Sequence, residues 1–311
     1  MRVLSLFDGI SCGMVALERA GISVDKYYSS EIDEAAIKIS DYNYPNIIRV
    51  GDVRGVNCDH YKNIDLLIGG SPCQSFSFAG KMQGMITKEK KEITTLEQYL
   101  RLKENGFEFE GYSYLFWEYV RILKQVKPKY FLLENVKMDK KWEKIISGVL
   151  GVEPILINSS LVSAQNRERL YWTNIPNVTQ PKDRNIKFCD IIEKENRKWL
   201  PIQPWTQVVW GTKKKIEMLR TFDAEKSFCV TTNKTHCKNY YLNSAKTRMS
   251  KLTADEVEVL QTLPKGYTDC VSECKRFKAI GNGWTVDVIA HIFKGLKKST
   301  ELKNEIEEVT P

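Results

Sequence analysis

Ile64-Asp65-Leu66-Leu67-Ile68-Gly69-Gly70-Ser71-Pro72-Cys73-Gln74-Ser75 is the stretch from which the fold is read. The apolar run Ile64 to Ile68, bounded by turn residues, predicts a buried strand. The glycines, Ser71 and Pro72 then predict a sharp loop at its C-terminal end. In an open α/β sheet that is the edge where ligands bind. Pro72 fixes its own φ and removes a backbone donor, so Cys73 is presented on a stiff turn. A thiol in that position is a nucleophile once it is a thiolate. A buried structural cysteine is the competing reading of this loop taken alone.

A second apolar strand, Phe131 to Val136, carries the carboxylate Glu134 and follows the turn Lys127-Pro128-Lys129. A nucleophile and an acid at neighbouring strand ends are the parts of covalent catalysis with proton support. Upstream, Val3 to Phe7 predicts a first strand, followed by the loop Asp8-Gly9-Ile10-Ser11-Cys12-Gly13 and a helix from Met14 to Ala20. Strand, glycine-bearing loop and helix begin a nucleotide-binding unit, but without the full dinucleotide fingerprint. That disfavours a nicotinamide-dependent oxidoreductase. Tyr27 to Ser30 predicts a second strand ending at Glu31, where a ribose hydroxyl pair is gripped. Asp33 to Tyr42 predicts a helix. Asn46 to Val50 predicts a third strand, which leads to Asp52, placed to accept from an exocyclic amine such as adenine N6. Phe7, Glu31, Asp52 and Cys73 therefore fall at four successive strand ends.

Residues 78–111 read as a closing loop or helical insertion. Tyr114 to Val126 and Lys140 to Leu150 predict helices, and Pro154 to Leu161 a strand. Arg167 and Arg169, two apart on an extended segment, point the same way and can grip phosphate or a base edge. Thr253 and Glu256 form a predicted capping box for a helix running to Leu263. Phe277 to Val286 reads as a loop opening a last helix, Val286 to Leu296, with a charged, fraying tail from Lys297.

The 311 residues carry a formal net charge of +8, and residues 173–253 alone hold 16 Lys and Arg against 7 Asp and Glu. The positive excess is thus confined to one segment. That segment interleaves Trp199, Trp205 and Trp210 with Lys213-Lys214-Lys215 and Lys234-Thr235-His236, and has short β runs at Gln207 to Trp210 and Phe228 to Thr232. A polyanion such as nucleic acid is its natural partner. The eight cysteines show no Cys-x-x-Cys pair or framework spacing, so reduced thiols, a cytoplasmic setting and no metal are expected. Met1-Arg2 leads directly into a strand, so no signal peptide is expected. No apolar run approaches the ~20 residues of a membrane span, so no membrane association is expected.

The motifs Phe7 to Gly13, Glu31, Gly51-Asp52-Val53, Gly70 to Gln74, Leu115 to Glu118, Glu134-Asn135-Val136, Gln165 to Arg169 and Ile280 to Trp284 occur in one order over nearly the whole chain. In that order and spacing the chain resembles the cytosine-C5 DNA methyltransferases. Asp8 and Ser11-Cys12 are more similar to the branch that includes the animal de novo enzymes. Gly283-Trp284 stands where many members have Ser-Val. The resemblance implies an α/β fold, a Rossmann-like sheet dependent on S-adenosylmethionine with a smaller β-rich target-recognition domain. The implied boundaries are 1–172 for the first catalytic part, 173–253 for target recognition and 254–311 for the helices completing the catalytic domain. It implies catalytic roles for Cys73, Glu134, Arg167 and Arg169. It implies cofactor contacts at Phe7, Asp8, Gly9, Ile10, Gly13, Glu31, Ile32, Asp52, Val53, Pro72, Leu115, Asn282, Gly283 and Trp284.

The resemblance further implies that Cys73 attacks carbon 6 of a flipped cytosine in double-stranded DNA. Glu134 holds the N3/N4 edge, and Arg169, with Arg167 behind it, positions the base. A monomer is expected, from a bacterial or phage-infected cell, and a cognate restriction endonuclease is a compatible partner. A tRNA methyltransferase of the same architecture and a catalytically silent DNA-binding homologue are the alternatives, the second disfavoured because Cys73, Glu134 and both arginines are present.

Overall fold

In the computed structural model, the structure describes residues 1–72, 84–193, 197–203, 209–210, 213–214, 219–232 and 240–309. Cys73, Gln74 and Ser75, the start of the insertion, Trp205, Gln207, Lys215, Lys234-Thr235-His236 and Cys237 lie outside the described residues.

The strands of the main sheet are β1 (Arg2–Leu6), β2 (Lys26–Ser30), β3 (Ile48–Arg49), β4 (Leu66–Gly70), β5 (Tyr130–Val136), β6 (Ile155–Asn158) and β7 (Glu168–Thr173). Their order is β3-β2-β1-β4-β5-β7-β6. The first five are parallel, whereas β7 is antiparallel to both β5 and β6. Strands buried on both faces read as continuous apolar runs. Accordingly, Val3, Leu66, Ile68 and Leu132 enter one core cluster, and Leu4, Leu67 and Leu133 the other.

Helices α1 (Cys12–Arg19), α2 (Glu34–Asn43), α3 (Leu96–Glu104), α4 (Phe116–Val126), α5 (Lys140–Leu150), α6 (Phe188–Ile191), α7 (Ala254–Leu260), α8 (Glu273–Asn282) and α9 (Val286–Val309) complete the layers. Val15, Ile39, Ile280, Ile289 and Phe293 of α1, α2, α8 and α9 pack in the first cluster. Tyr99, Trp117 and Ile146 of α3, α4 and α5 pack in the second. Local chemistry sets several boundaries. Asp33 caps α2 by accepting from Ala35 and Ala36 N–H at 3.0 and 3.2 Å. The Thr253/Glu256 capping box opens α7 as its spacing predicts. Lys127, at φ 50°, ends α4 at the expected turn.

Several expectations are corrected. The third strand is only Ile48–Arg49, and the sixth gives way after Asn158 to a 3-10 turn, Ser159–Leu161. The stretch Phe277 to Val286 is mostly helix α8, with three residues before α9. The expected end at Leu296 is passed: the chain from Lys297 to Val309 contains no Gly or Pro, and α9 continues through it. Helix α7 ends at Leu260, and Thr262 takes φ 56°. The insertion is ordered around α3, with bridges Ile86 to Glu92 and Thr87 to Phe109.

In the basic segment, β8 (Leu200–Pro201), β11 (Arg220–Thr221), β12 (Tyr240–Leu242) and β13 (Arg248–Lys251) form a small sheet, and β9 (Val209–Trp210) pairs with β10 (Lys213–Lys214). Leu219, Leu242 and Met249 form its own cluster. Phe188, Ile192, Val230 and Tyr241 instead join the cluster of α7 and α8. Arg197, paired with the buried Glu256, ties the segment to α7. Phe228 to Thr232 is not a strand; Ser227 bridges Gln165, and Gln165 Oε1 accepts from Val230 N–H at 3.1 Å. No helix among the described residues is long and apolar enough to cross a membrane.

Gly295 marks where α9 lies closest to the chain after β7. A Cβ there would sit 2.3 Å from the Pro176 carbonyl oxygen and 2.8 Å from Ile175 Cγ2. Gly295→Ala should therefore lower stability by about 1–3 kcal/mol through overpacking. Gly148→Ala, in α5 with open space around the added methyl, should raise it by about 0.5–1 kcal/mol. Urea unfolding measures both; equal effects would contradict this packing.

Candidate active site

The loop after β1 is held by one carboxylate. Asp8 Oδ1 accepts from Ser5 Oγ at 2.6 Å and Tyr27 OH at 2.7 Å. Its Oδ2 accepts from Ser11 Oγ at 2.6 Å and Ser29 Oγ at 2.8 Å. Four donors fill the lone pairs of a carboxylate. The Asp8 side chain therefore anchors the loop. Around it Phe7, Gly9 and Ser11 all take left-handed φ of 56°, 57° and 58°, a conformation that costs non-glycine residues and needs support. A Cβ on Gly9 or Gly51 would meet nothing within 4 Å. Backbone thus borders open space at the ends of both β1 and β3.

Glu31 lies where the sequence places it, but it is already engaged. Oε2 accepts from Gly9 N–H at 2.8 Å, and Oε1 from the N–H groups of Ile32 and Asp33, both at 2.8 Å. Of the carboxylate offered by the sequence for a ribose hydroxyl pair, one acceptor position on Oε2 is open. Asp52 follows β3 and pairs with Arg54. The Arg54 backbone N–H and Nε donate to Oδ1 at 2.9 and 3.0 Å, and Nε and Nη2 donate to Oδ2 at 3.0 and 2.5 Å. An incoming amine would therefore share an oxygen with the bifurcated Nε. The side-chain hydrogen bonds from Arg54 hold the Asp52 carboxyl below its usual pKa, so it remains an acceptor. Ile32, 65% exposed, offers an apolar surface beside Glu31. A cradle of two acceptors, one exposed aliphatic side chain and uncrowded backbone suits a nucleoside, whose hydroxyls and exocyclic amine are donors.

Other expected contacts have packing roles. Ile10 and Val53 are buried in the two cores, and Leu115 packs at the edge of the second. Tyr267 OH donates to the Ile10 carbonyl at 2.7 Å. Gly13 is required by close approach, because a Cβ would lie 2.5 Å from Ile68 Cδ1. Phe7 is partly buried against the second core. Asn282 is exposed at the end of α8 and Gly283 is buried beside Cys12.

The reactive edge is set by strand register. Gly70 of β4 pairs with Glu134 of β5. Asn135 Nδ2 donates to Ser71 Oγ at 3.0 Å and to its carbonyl at 3.3 Å. The residue before Pro72 is thereby fixed to the strand that carries Glu134. Glu134, 8% exposed, lies between Arg169 Nε, 2.9 Å from Oε1, and Trp284 Nε1, which donates to Oε2 at 3.1 Å. Glu134 and Arg169, each expected at the base, are paired with each other here. Trp284, read only as a cofactor wall, was not foreseen as the partner of Glu134 from 150 residues away. Nor was Asn135 foreseen as the anchor of the cysteine loop.

Arg167 is corrected. It is buried, and its guanidinium donates to the carbonyls of Val230 at 3.1 Å, Gly281 at 3.4 Å and Gly283 at 3.0 Å, and to Cys229 Sγ at 3.3 Å. Its donors are spent on these groups, and it fixes the backbone that carries Trp284. Two features elsewhere lie apart from this constellation. A cleft of about 960 Å³ between α7, α9 and residues 162–191 contains none of its residues. Asp255, Glu258 and Asp269 converge, but the Arg276 guanidinium bridges all three.

The C-5 cytosine-specific DNA methylase family model matches residues 1–199 and 175–298. The orphan methyltransferase M.SPRI of Bacillus phage SPR is 29% identical over 269 residues, 79% of this chain and 53% of that protein. The orphan methyltransferase M.SPBetaI of Bacillus phage SPbeta is 28% identical, over 86% of this chain and 66% of its own length. The chain thus spans between about half and two thirds of the length of these two relatives. Among solved structures, Entamoeba histolytica methyltransferase EhMeth superposes with TM-score 0.69 at 17% identity, covering 96% of this chain and 98% of that one. A Spodoptera frugiperda DNMT2 mutant gives 0.66 at 17%, covering 95% and 99%. At these identities the structural likeness speaks for the fold.

Cys12, under the loop, has its thiol pushed up to about 12 by burial. At pH 8 it should resist iodoacetamide in the folded protein and react once urea unfolds it, followed by peptide mass spectrometry. Alkylation in the folded state would show that the Asp8 loop opens.

Proposed function

Because this chain belongs to the C-5 cytosine-specific DNA methylase family, we propose that it methylates carbon 5 of a flipped cytosine in double-stranded DNA. The observation that carries this reading is the Glu134 carboxylate, held between Arg169 and Trp284. Its strand is in register with the one that leads to Pro72-Cys73.

The cofactor of this fold is S-adenosylmethionine, which supplies an electrophilic methyl on a sulfonium. The cradle fits it. The free acceptor of Glu31 would hold a ribose hydroxyl, anionic Asp52 would accept from the adenine amine, and exposed Ile32 would offer the purine an apolar surface. Trp284 lies beside Gly13 and Gly70, and with Asn282 and Gly283 just before it in the chain it would close the cofactor cradle on that side.

Carbon 5 of cytosine is a weak nucleophile within an aromatic ring. The Cys73 thiolate adds to carbon 6, and the displaced π electrons make carbon 5 enamine-like. Glu134 shares a proton with N3 and accepts from the N4 amine, so the negative charge that thiolate addition puts on the ring is neutralised. Arg169 keeps Glu134 oriented and faces the pyrimidine carbonyl. After the methyl is transferred to carbon 5, a water takes the carbon-5 proton and the Cys73 sulfur leaves as thiolate, restoring the double bond. A thiol and a methyl donor cannot reach opposite faces of a stacked base. The cytosine is therefore extruded, at a cost of a few kcal/mol. Residues 173–253, with their excess of Lys and Arg, contact the phosphates as the target-recognition part between catalytic parts 1–172 and 254–311. Orphan methyltransferases among the relatives favour a solitary enzyme without a restriction partner; a monomer in the cytoplasm of a bacterial or phage-infected cell completes the proposal.

Labelled methyl incorporation into duplex DNA and into tRNA tests this directly. Duplex DNA should be labelled by the native chain. Glu134→Gln should lower turnover by roughly 10²–10⁴, the range for loss of a positioned acid or base, and Cys73→Ser should abolish it. Labelling of tRNA with none of DNA would overturn the substrate; substantial turnover by Cys73→Ser would overturn the covalent step.

A further inference from the structure

Glu118 of α4 is fully buried, and the reaction above does not use it. Its Oε1 accepts from Tyr99 OH and from Lys103 Nζ, both at 2.6 Å and both on α3. Its Oε2 accepts from Arg121 Nε at 2.6 Å. The two cations that it holds do not end there. Arg121 donates to the carbonyls of Val53 and Val56, each at 3.2 Å. Lys103 reaches the Arg54 carbonyl at 3.4 Å. Three carbonyls of the turn that follows Asp52 are therefore gripped by two side chains, and one buried carboxylate anchors both. Within that turn Arg54 in turn orients Asp52.

Resting on the reading of Asp52 as the acceptor for the adenine amine, we propose that Glu118 is a positioning residue for cofactor selectivity. Through Lys103 and Arg121 it fixes the turn that aims Asp52, and it does so from outside the cofactor cradle. A carboxylate that accepts from N6 favours adenine and repels the carbonyl oxygen that replaces that amine in hypoxanthine. The discrimination needs Asp52 to be held, since a freely pivoting side chain would turn away from the carbonyl. The same carboxylate binds the insertion helix α3 to the cofactor turn, so the segment following Cys73 and the adenine end of the cradle share one anchor.

The test uses the full chain and calorimetry with S-adenosylhomocysteine and S-inosylhomocysteine. The native protein should prefer the adenosyl ligand by about tenfold or more, the scale of one misplaced hydrogen bond to a charged group, and Asp52→Asn should remove the preference. Glu118→Gln and Lys103→Met should reduce it to less than about threefold, mainly by weakening the adenosyl ligand. Lys103 is partly exposed, so Lys103→Met carries the test should Glu118→Gln fail to fold; thermal melting monitors both. An equal loss of affinity for both ligands, or an unchanged preference in the variants, would reduce Glu118 to a structural residue and overturn the proposal. No preference in the native protein would instead remove the Asp52 reading, and the proposal with it, before any variant is made.

Discussion

The parallel pairing of Leu66–Gly70 with Tyr130–Val136 is the constraint on which the reactive edge depends. A one-residue slip in that ladder would turn every side chain to the other face. Leu132 and Leu133 would exchange cores, and Glu134 would leave Arg169. The two apolar clusters on either side of the sheet make such a slip costly, so register is held by burial. Function then follows from where the strands stop. Gly70 opposes Glu134, and a Cβ on Gly70 would come within 3.0 Å of Glu134 Oε2 and 2.9 Å of Trp284 Nε1. The bare glycine lets carboxylate and indole approach the strand that leads to Cys73.

Around that register the molecule uses buried charge to hold backbone. Asp8 gathers four hydroxyls under a loop with three left-handed residues, Arg167 collects three carbonyls behind Trp284, and Glu118 anchors two cations against the turn after Asp52. Burying an ion is unfavourable unless its hydrogen-bonding positions are filled. Each of these groups meets several partners. The outcome is a set of stiff loops at adjoining strand ends, which is what preorganised catalysis requires.

Much of this was legible in the sequence because strands buried on both faces leave continuous apolar runs and glycines punctuate their ends. The order of strand ends bearing Phe7, Glu31 and Asp52 could be read that way. Partner choice could not. Arg167 and Arg169 share a spacing, yet one faces Glu134 and the other is enclosed by carbonyls from residues 230, 281 and 283. Only tertiary packing decides between those fates. Trp284 finds Glu134 across 150 residues, and no local pattern encodes that. Phe228 to Thr232 has β-forming residues but no free ladder, because the Gln165 side chain takes the Val230 N–H. Asp8 looked like a ligand contact because a polar residue beside a glycine loop usually faces the ligand; here Tyr27 and three serines claim it.

The central claim is that Cys73, delivered by this register, bonds to a pyrimidine that Glu134 holds. The most direct measurement is trapping with duplex DNA that carries 5-fluorocytosine at the methylated position, in the presence of S-adenosylmethionine. Fluorine cannot leave as a proton does, so the elimination is blocked. A denaturation-resistant adduct that peptide mass spectrometry maps to Cys73 is predicted. Absence of any adduct, from protein that methylates the unfluorinated duplex, would contradict the account.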